Sequence, residues 1–84
     1  MADTIAERVK RVTSELLKVD AEKVKESARF VEDLGAASIQ SIELVAAFEE
    51  EFNVEMDQDD ALNIKSVGDA VGYISKLIAE QHGK

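Results

Sequence analysis

Three stretches of the chain space their apolar residues at helical intervals, and no proline interrupts any of them. That pattern constrains the fold more than any other feature, because a 3.6-residue period lets one face of a helix meet a core. In residues 4–17, Ile5, Val9, Val12 and Leu16 form one stripe, and Thr4 with Glu7 matches a capping box. Residues 38–52 form the second helix. Residues 67–79 form the last, with Val67, Ala70, Val71, Ile74, Leu77 and Ile78 on one side and Ser66–Asp69 as a capping pair. Residues 59–64 are long enough for a short helical turn. No segment alternates as a strand does; Val19 to Val24 is too charged. Residues 18–37 form a connection of unusual length for a small domain, and Phe30, Val31 and Leu34 are placed to anchor it on the core. The expected fold is all-α: a four-helix bundle of three main helices and one short one, with a long first loop.

With 84 residues, the chain has room for one core, so residues 1–84 read as a single domain and a monomer. Gly68 and Gly72 in the last helix each cost roughly 0.5–1 kcal/mol relative to alanine. The absence of cysteine removes disulfides, thiolate metal sites and thiol chemistry. The single histidine, His82, falls near a fraying end and cannot build an acid–base cluster. The longest apolar run, residues 44–48, is far below the roughly 20 needed to span a membrane. Early charges break any leader-like stretch, so the cytoplasm is the expected compartment.

The formal charge is −8, and its distribution is uneven. Residues 1–29 hold six acids and seven bases, residues 30–64 hold ten acids and no base, and residues 65–84 hold two acids and three bases. An acidic middle without local ion pairs excludes phosphate-neutralising nucleic-acid binding and steers basic protein surfaces to one place. It also attracts cations loosely, but residue six of a calcium loop counted from Asp57 is Leu62 where glycine is needed, so no metal site is expected.

The second helix has more apolar positions than one core face needs. At about 100° per residue, Leu44, Val45, Phe48 and Phe52 share the core side, while Ile39, Ile42 and Ala46 lie roughly opposite, among Glu43, Glu49 and Glu50. A small apolar face with carboxylates suits a transient interface with a basic partner; the plainer alternative makes Ile39 and Ile42 the rim of a broad core. Ser38 falls at the start of this helix, after Gly35, as an ordinary N-cap or as a hydroxyl open to modification. No base accompanies it, so it is not an enzyme nucleophile. The helix end favours an attached phosphate.

Residues 30–39, Phe-Val-Glu-Asp-Leu-Gly-Ala-Ala-Ser-Ile, followed by Ile42-Glu-Leu-Val45 and Phe48-Glu-Glu-Glu-Phe52, resemble a type II acyl carrier protein. The similarity extends over nearly the whole chain. It implies that Ser38 carries a covalent 4′-phosphopantetheine arm, attached by a phosphopantetheinyl transferase, whose thiol holds acyl chains as thioesters. The protein is then no enzyme; it shuttles acyl groups between synthetases, synthases or acyltransferases with basic surfaces, in fatty-acid, lipid or polyketide synthesis. The resemblance places Val9, Phe30, Val31, Leu44, Phe48, Met56, Ala61, Ile64, Ala70 and Ile74 around the acyl chain. It places Ile39, Ile42, Glu43, Ala46, Ala47, Glu49, Glu50, Asp59 and Asp60 at the partner surface.

The chain departs from the family's Asp-Ser-Leu, reading Ala37-Ser38-Ile39. It also lacks the usual proline near Asp57 and has Phe48 where leucine or methionine is commoner, which implies a specialised carrier with a reshaped acyl cavity. Two other readings remain open: an unmodified acidic adaptor with the same fold, and an aminoacyl or peptidyl carrier.

Overall fold

The computed structural model describes residues 4–83. Four α-helices run in the order α1 (Ile5–Leu17), α2 (Ser38–Phe52), α3 (Gln58–Leu62) and α4 (Val67–Gln81), with a single 3-10 turn at Ala21–Lys23. No strand occurs among the described residues, only one isolated bridge between Arg29 and Ser66. The short helix begins one residue before the expected stretch and ends two before it, and α4 runs two residues further than its apolar pattern.

Local chemistry sets the helix starts. Thr4 Oγ1 accepts the Glu7 N–H while Glu7 returns a carboxylate to the Thr4 N–H, both at 3.1 Å. Ser66 and Asp69 make the same exchange at α4. α1 and α2 end on left-handed residues, Lys18 at φ 58° and Asn53 at φ 53°. At Asn53 the chain turns so that the N–H groups of both Asn53 and Val54 reach the Glu49 carbonyl.

The core gathers Val9 from α1, Leu44, Phe48 and Phe52 from α2, and Val67, Ala70, Ile74 and Leu77 from α4. The apolar stripe of α1 does not face it squarely. Val9 and Thr13 are fully buried, whereas Ile5, Val12 and Leu16 are only half-buried. The buried line is thus turned roughly 50° from the stripe's centre, given about 100° per residue. Val12 and Leu16 instead border a shallow groove with Ala47 of α2.

α1 and α2 run antiparallel and are clamped at one end. Arg8 donates from Nε to Glu51 Oε2 at 2.8 Å and from Nη2 to the Glu51 carbonyl at 2.7 Å. Its guanidinium sits 4.5 Å from the centre of the Phe52 ring, and Arg11 adds a 2.9 Å bond to the same carboxylate oxygen. No basic side chain lies in the last turn of α2, so α1 supplies the cation that the helix's negative end favours. The acidic middle thus finds cations outside itself: Arg8 and Arg11 reach Glu51 across the fold, and Arg29, just before it, pairs with Asp33.

The long connection is built, not loose. Val24, Ala28, Phe30, Leu34 and Ala36 are all buried. Its backbone pairs with the start of α4: Phe30 N–H to the Lys65 carbonyl, Val67 N–H to Ala28, and Gly68 N–H to Glu26, at 3.0, 2.9 and 2.8 Å. Residues 30–34 make a helical turn that points Phe30 and Leu34 inward. Val31, one position on, therefore faces out and is 58% exposed, which corrects its placement in the acyl cavity. Gly68 is no mere cost to α4: a Cβ there would lie 3.0 Å from the Glu26 carbonyl oxygen, so glycine permits the close approach.

The far end of α4 is tied down rather than frayed. Gln81 exchanges two 3.0 Å hydrogen bonds with the Glu55 backbone, and His82 Nε2 lies 2.6 Å from the Asn53 carbonyl. No described helix is long and apolar enough to cross a membrane.

Candidate functional site

Ser38 is the first residue of α2, not its cap; Ala37 holds the cap position. Alanine has no side-chain acceptor, so only the reverse half of a capping box exists, from the Ala37 N–H to Gln40 Oε1 at 2.9 Å. The first N–H groups of a helix have no acceptor within it, and none is supplied by a cap here. Ser38 is exposed, and its hydroxyl makes no hydrogen bond among the described residues. The first turn of α2 carries no acid. An exposed hydroxyl beside unspent N–H donors, in a first turn without an acid, fits a phosphodiester.

Two connections aim this end of α2. Gly35, at φ +72°, adopts a backbone conformation that side chains disfavour. Ala36 then seats its N–H on the Phe30 carbonyl at 2.8 Å. Arg29 N–H donates to Asp33 Oδ2 at 2.8 Å, and the Arg29 guanidinium approaches the same oxygen at 3.4 Å. Chiefly through that backbone donor, the Asp33 carboxyl is held below its ordinary value of 3.8.

Of the residues expected around an acyl chain, Val9, Phe30, Leu44, Phe48, Met56, Ala70 and Ile74 come together in the core. Ile64 is half-buried against it, Ala61 is half-buried on α3, and Val31 is outside. The Phe30 and Phe48 rings lie 6.4 Å apart at 53°, joining the long connection to α2. Two surface grooves lie elsewhere, one between α1 and α2 and one around α3 and α4.

The expected partner surface divides. Ile39 and Ile42 are 67% and 70% exposed, so they are not the rim of the core. Glu43, Ala46 and Glu50 are exposed beside them. Glu49 is different: half-buried, it accepts the Met56 N–H at 2.8 Å and holds the chain leading to α3. Ala47 is also half-buried, in the α1–α2 groove. Neither belongs to the exposed face, because both point toward neighbouring segments rather than solvent. Asp57 caps α3, Asp59 is exposed, and Asp60 accepts the Tyr73 hydroxyl at 3.1 Å. Partial burial pushes the Tyr73 hydroxyl above its ordinary 10.0, and the Asp60 carboxylate adds to the shift. No group of three metal-ligating side chains occurs among the described residues.

A family model described as a phosphopantetheine attachment site matches residues 7–74. The chain belongs to that family of carrier domains, which hold covalent 4′-phosphopantetheine and are not themselves catalysts.

Sequence reasoning missed the Arg8–Glu51 clamp, the Glu49–Met56 and Tyr73–Asp60 ties, and the buried Thr13. The i, i+4 spacing of Val9 and Thr13 was the only signal of the last.

Proposed function

We propose that this protein is a type II acyl carrier whose arm is attached to Ser38. The observation that carries the reading is the exposed Ser38 hydroxyl, bonded to nothing, at the uncapped start of α2. Ser38 Oγ is the acceptor of the phosphodiester, and the free N–H groups of the first turn stabilise its negative charge. The arm supplies the thiol that a cysteine-free chain lacks and holds acyl groups as thioesters. Phe30, Leu44, Phe48, Met56, Ala70 and Ile74 exclude water from a chain folded back into the core, with Val9, Ala61 and Ile64 at its edges.

Ile39, Ile42, Glu43, Ala46 and Glu50 form the docking face for the transferase and for basic acyl-handling enzymes, joined by Asp59 and Asp60 on α3. Ala37 in place of aspartate removes one carboxylate from that surface, which supports a carrier matched to particular partners. A cytoplasmic monomer with residues 1–84 as one carrier domain fits this role.

Incubation with coenzyme A and a phosphopantetheinyl transferase should add about 340 Da, and Ser38→Ala should abolish the gain. Wild-type protein left unmodified while a control carrier is loaded would overturn the reading. Salt-sensitive binding to a basic protein, unchanged in Ser38→Ala, would then identify an adaptor. Loading with an aminoacyl group in preference to acyl groups would identify an aminoacyl carrier.

A further inference from the structure

A hydroxyl inside a helix ordinarily bonds back to a carbonyl one turn earlier. Ser75 does so, donating to the Val71 carbonyl at 2.8 Å, and Ser41 to Ala37 at 3.3 Å. Thr13 does not: its Oγ1 is buried and has no hydrogen-bond partner. The residue is 0% exposed, and it is the one buried polar residue among those described. Valine has the same shape without the unmet hydroxyl, so a purely structural position would favour valine.

The place of Thr13 suggests what meets that hydroxyl. It lies one turn beyond Val9, itself fully buried, on the side of α1 turned into the core. Because α1 and α2 run antiparallel, with Arg8 at Glu51 and Val12 and Leu16 beside Ala47, Thr13 is level with the middle of α2. That is about 9–15 Å along the helix from Ser38, at about 1.5 Å per residue. A trapped water needs two to four polar partners. Every other buried residue among those described is apolar.

We propose that Thr13 reads the cargo: its hydroxyl donates to an oxygen part-way along the acyl chain, so the carrier favours keto- or hydroxyl-bearing chains over saturated ones. This inference rests on the carrier reading and narrows its substrate class. A saturated chain leaves the hydroxyl as unmet as the empty core does. An oxygen-bearing chain satisfies it and meets its own need for a buried partner at the same contact. Thr13 is a specificity residue without any part in the chemistry at the thioester.

The test uses full-length protein loaded at its arm with octanoyl, 3-oxo-octanoyl, 5-oxo-octanoyl or 7-oxo-octanoyl groups, with loading checked by intact mass. Shielding is read as the rate of thioester cleavage by neutral hydroxylamine, divided by the rate for the same thioester on free pantetheine. In wild type, at least one oxo chain should be shielded about two- to tenfold more than octanoyl, the range one net hydrogen bond supplies. Thr13→Val should erase that advantage, and Thr13→Ser should keep it. The unloaded Thr13→Val protein should melt above wild type.

Equal shielding of octanoyl and every oxo chain, or an advantage that survives in Thr13→Val, overturns the inference. So does an unloaded Thr13→Val protein that melts below wild type, because the hydroxyl would then have a partner within the protein. Protein that gains no mass overturns the carrier reading and this inference together; protein that loads but shows no preference overturns this inference alone.

Discussion

The connection before α2 and the short helix after it invert what their secondary structure suggests. Residues 18–37 contain only turns and one short 3-10 segment, yet five of their side chains are buried and their backbone is hydrogen-bonded to the start of α4. Residues 58–62 form a helix, yet none of them is buried. The ties on that helix are peripheral: the Asp57 cap at its start and Tyr73 to Asp60 on its flank. Order in this fold follows burial and long-range hydrogen bonds rather than helical geometry. On that basis α3 should open more readily than the first connection.

Truncating one anchor on each side gives the largest contrast. Phe30→Ala should cost about 3–5 kcal/mol. A core of this size rarely supplies more than that in total, so the variant should be largely unfolded at 25 °C by far-UV circular dichroism. Leu62, 75% exposed on α3, should lose under about 0.5 kcal/mol as Leu62→Ala in a urea melt. Comparable losses at the two positions would erase the distinction between the connections.

The glycines of α4 sharpen the point. Helix propensity predicts that alanine stabilises both positions by roughly 0.5–1 kcal/mol. Gly72 has nothing within 4 Å of a new Cβ, so Gly72→Ala should raise the melting temperature by a few degrees. At Gly68 the same atom meets the Glu26 carbonyl of the first connection at 3.0 Å, so Gly68→Ala should lower it. If both variants gain stability, the first connection yields more readily than its hydrogen bonds suggest.

What the sequence discloses and what it withholds divide along the same line. The starts of α1 and α4 were legible because Thr4 with Glu7 and Ser66 with Asp69 are local, within one turn. The outward face of α2 was legible because Ile39 and Ile42 oppose Leu44 and Phe48 on a helix of known pitch. Ser38 stood apart from an ordinary cap serine only through the pattern around it. The first connection was not legible, because its backbone partners lie at residues 65–68, more than thirty positions away. Glu51 likewise meets Arg8 and Arg11 of α1, about forty positions earlier, which no local charge pattern reveals. Thr13 escaped notice because the core face of α1 is set by α2 and α4, not by the centre of its own apolar stripe.

A smaller effect is expected at the latch itself. Tyr73→Phe removes the Asp60 bond and leaves the ring, so global stability should fall by about 0.5–1.5 kcal/mol at most. Hydrogen exchange should localise the change: amides of residues 58–64 should open faster, while those of Phe30, Ala36, Val67 and Gly68 keep their protection. Uniform acceleration would mean that α3 and the first connection open as one unit.

The smallest expected effect separates the two connections by pH. In the first, Asp33 is held below 3.8, mainly by the Arg29 N–H. A depressed carboxyl contributes stability above its unfolded value, and that contribution is lost as pH falls through the folded one. On the α3 side, Tyr73 is raised above 10.0 by burial and by Asp60. A raised hydroxyl contributes below its unfolded value, and the contribution is lost as pH climbs through the folded one. The gap in melting temperature between wild type and Asp33→Asn should therefore hold steady above pH 3.8 and close on acidification below it. The gap between wild type and Tyr73→Phe should persist to pH 10 and close beyond. Since Asp33 is exposed and Tyr73 only half-buried, both gaps should be small, and salt should narrow the acid one further as it screens Arg29 from Asp33. A Tyr73→Phe gap already gone at pH 8 would mean that the Asp60 bond does not hold α3 in solution.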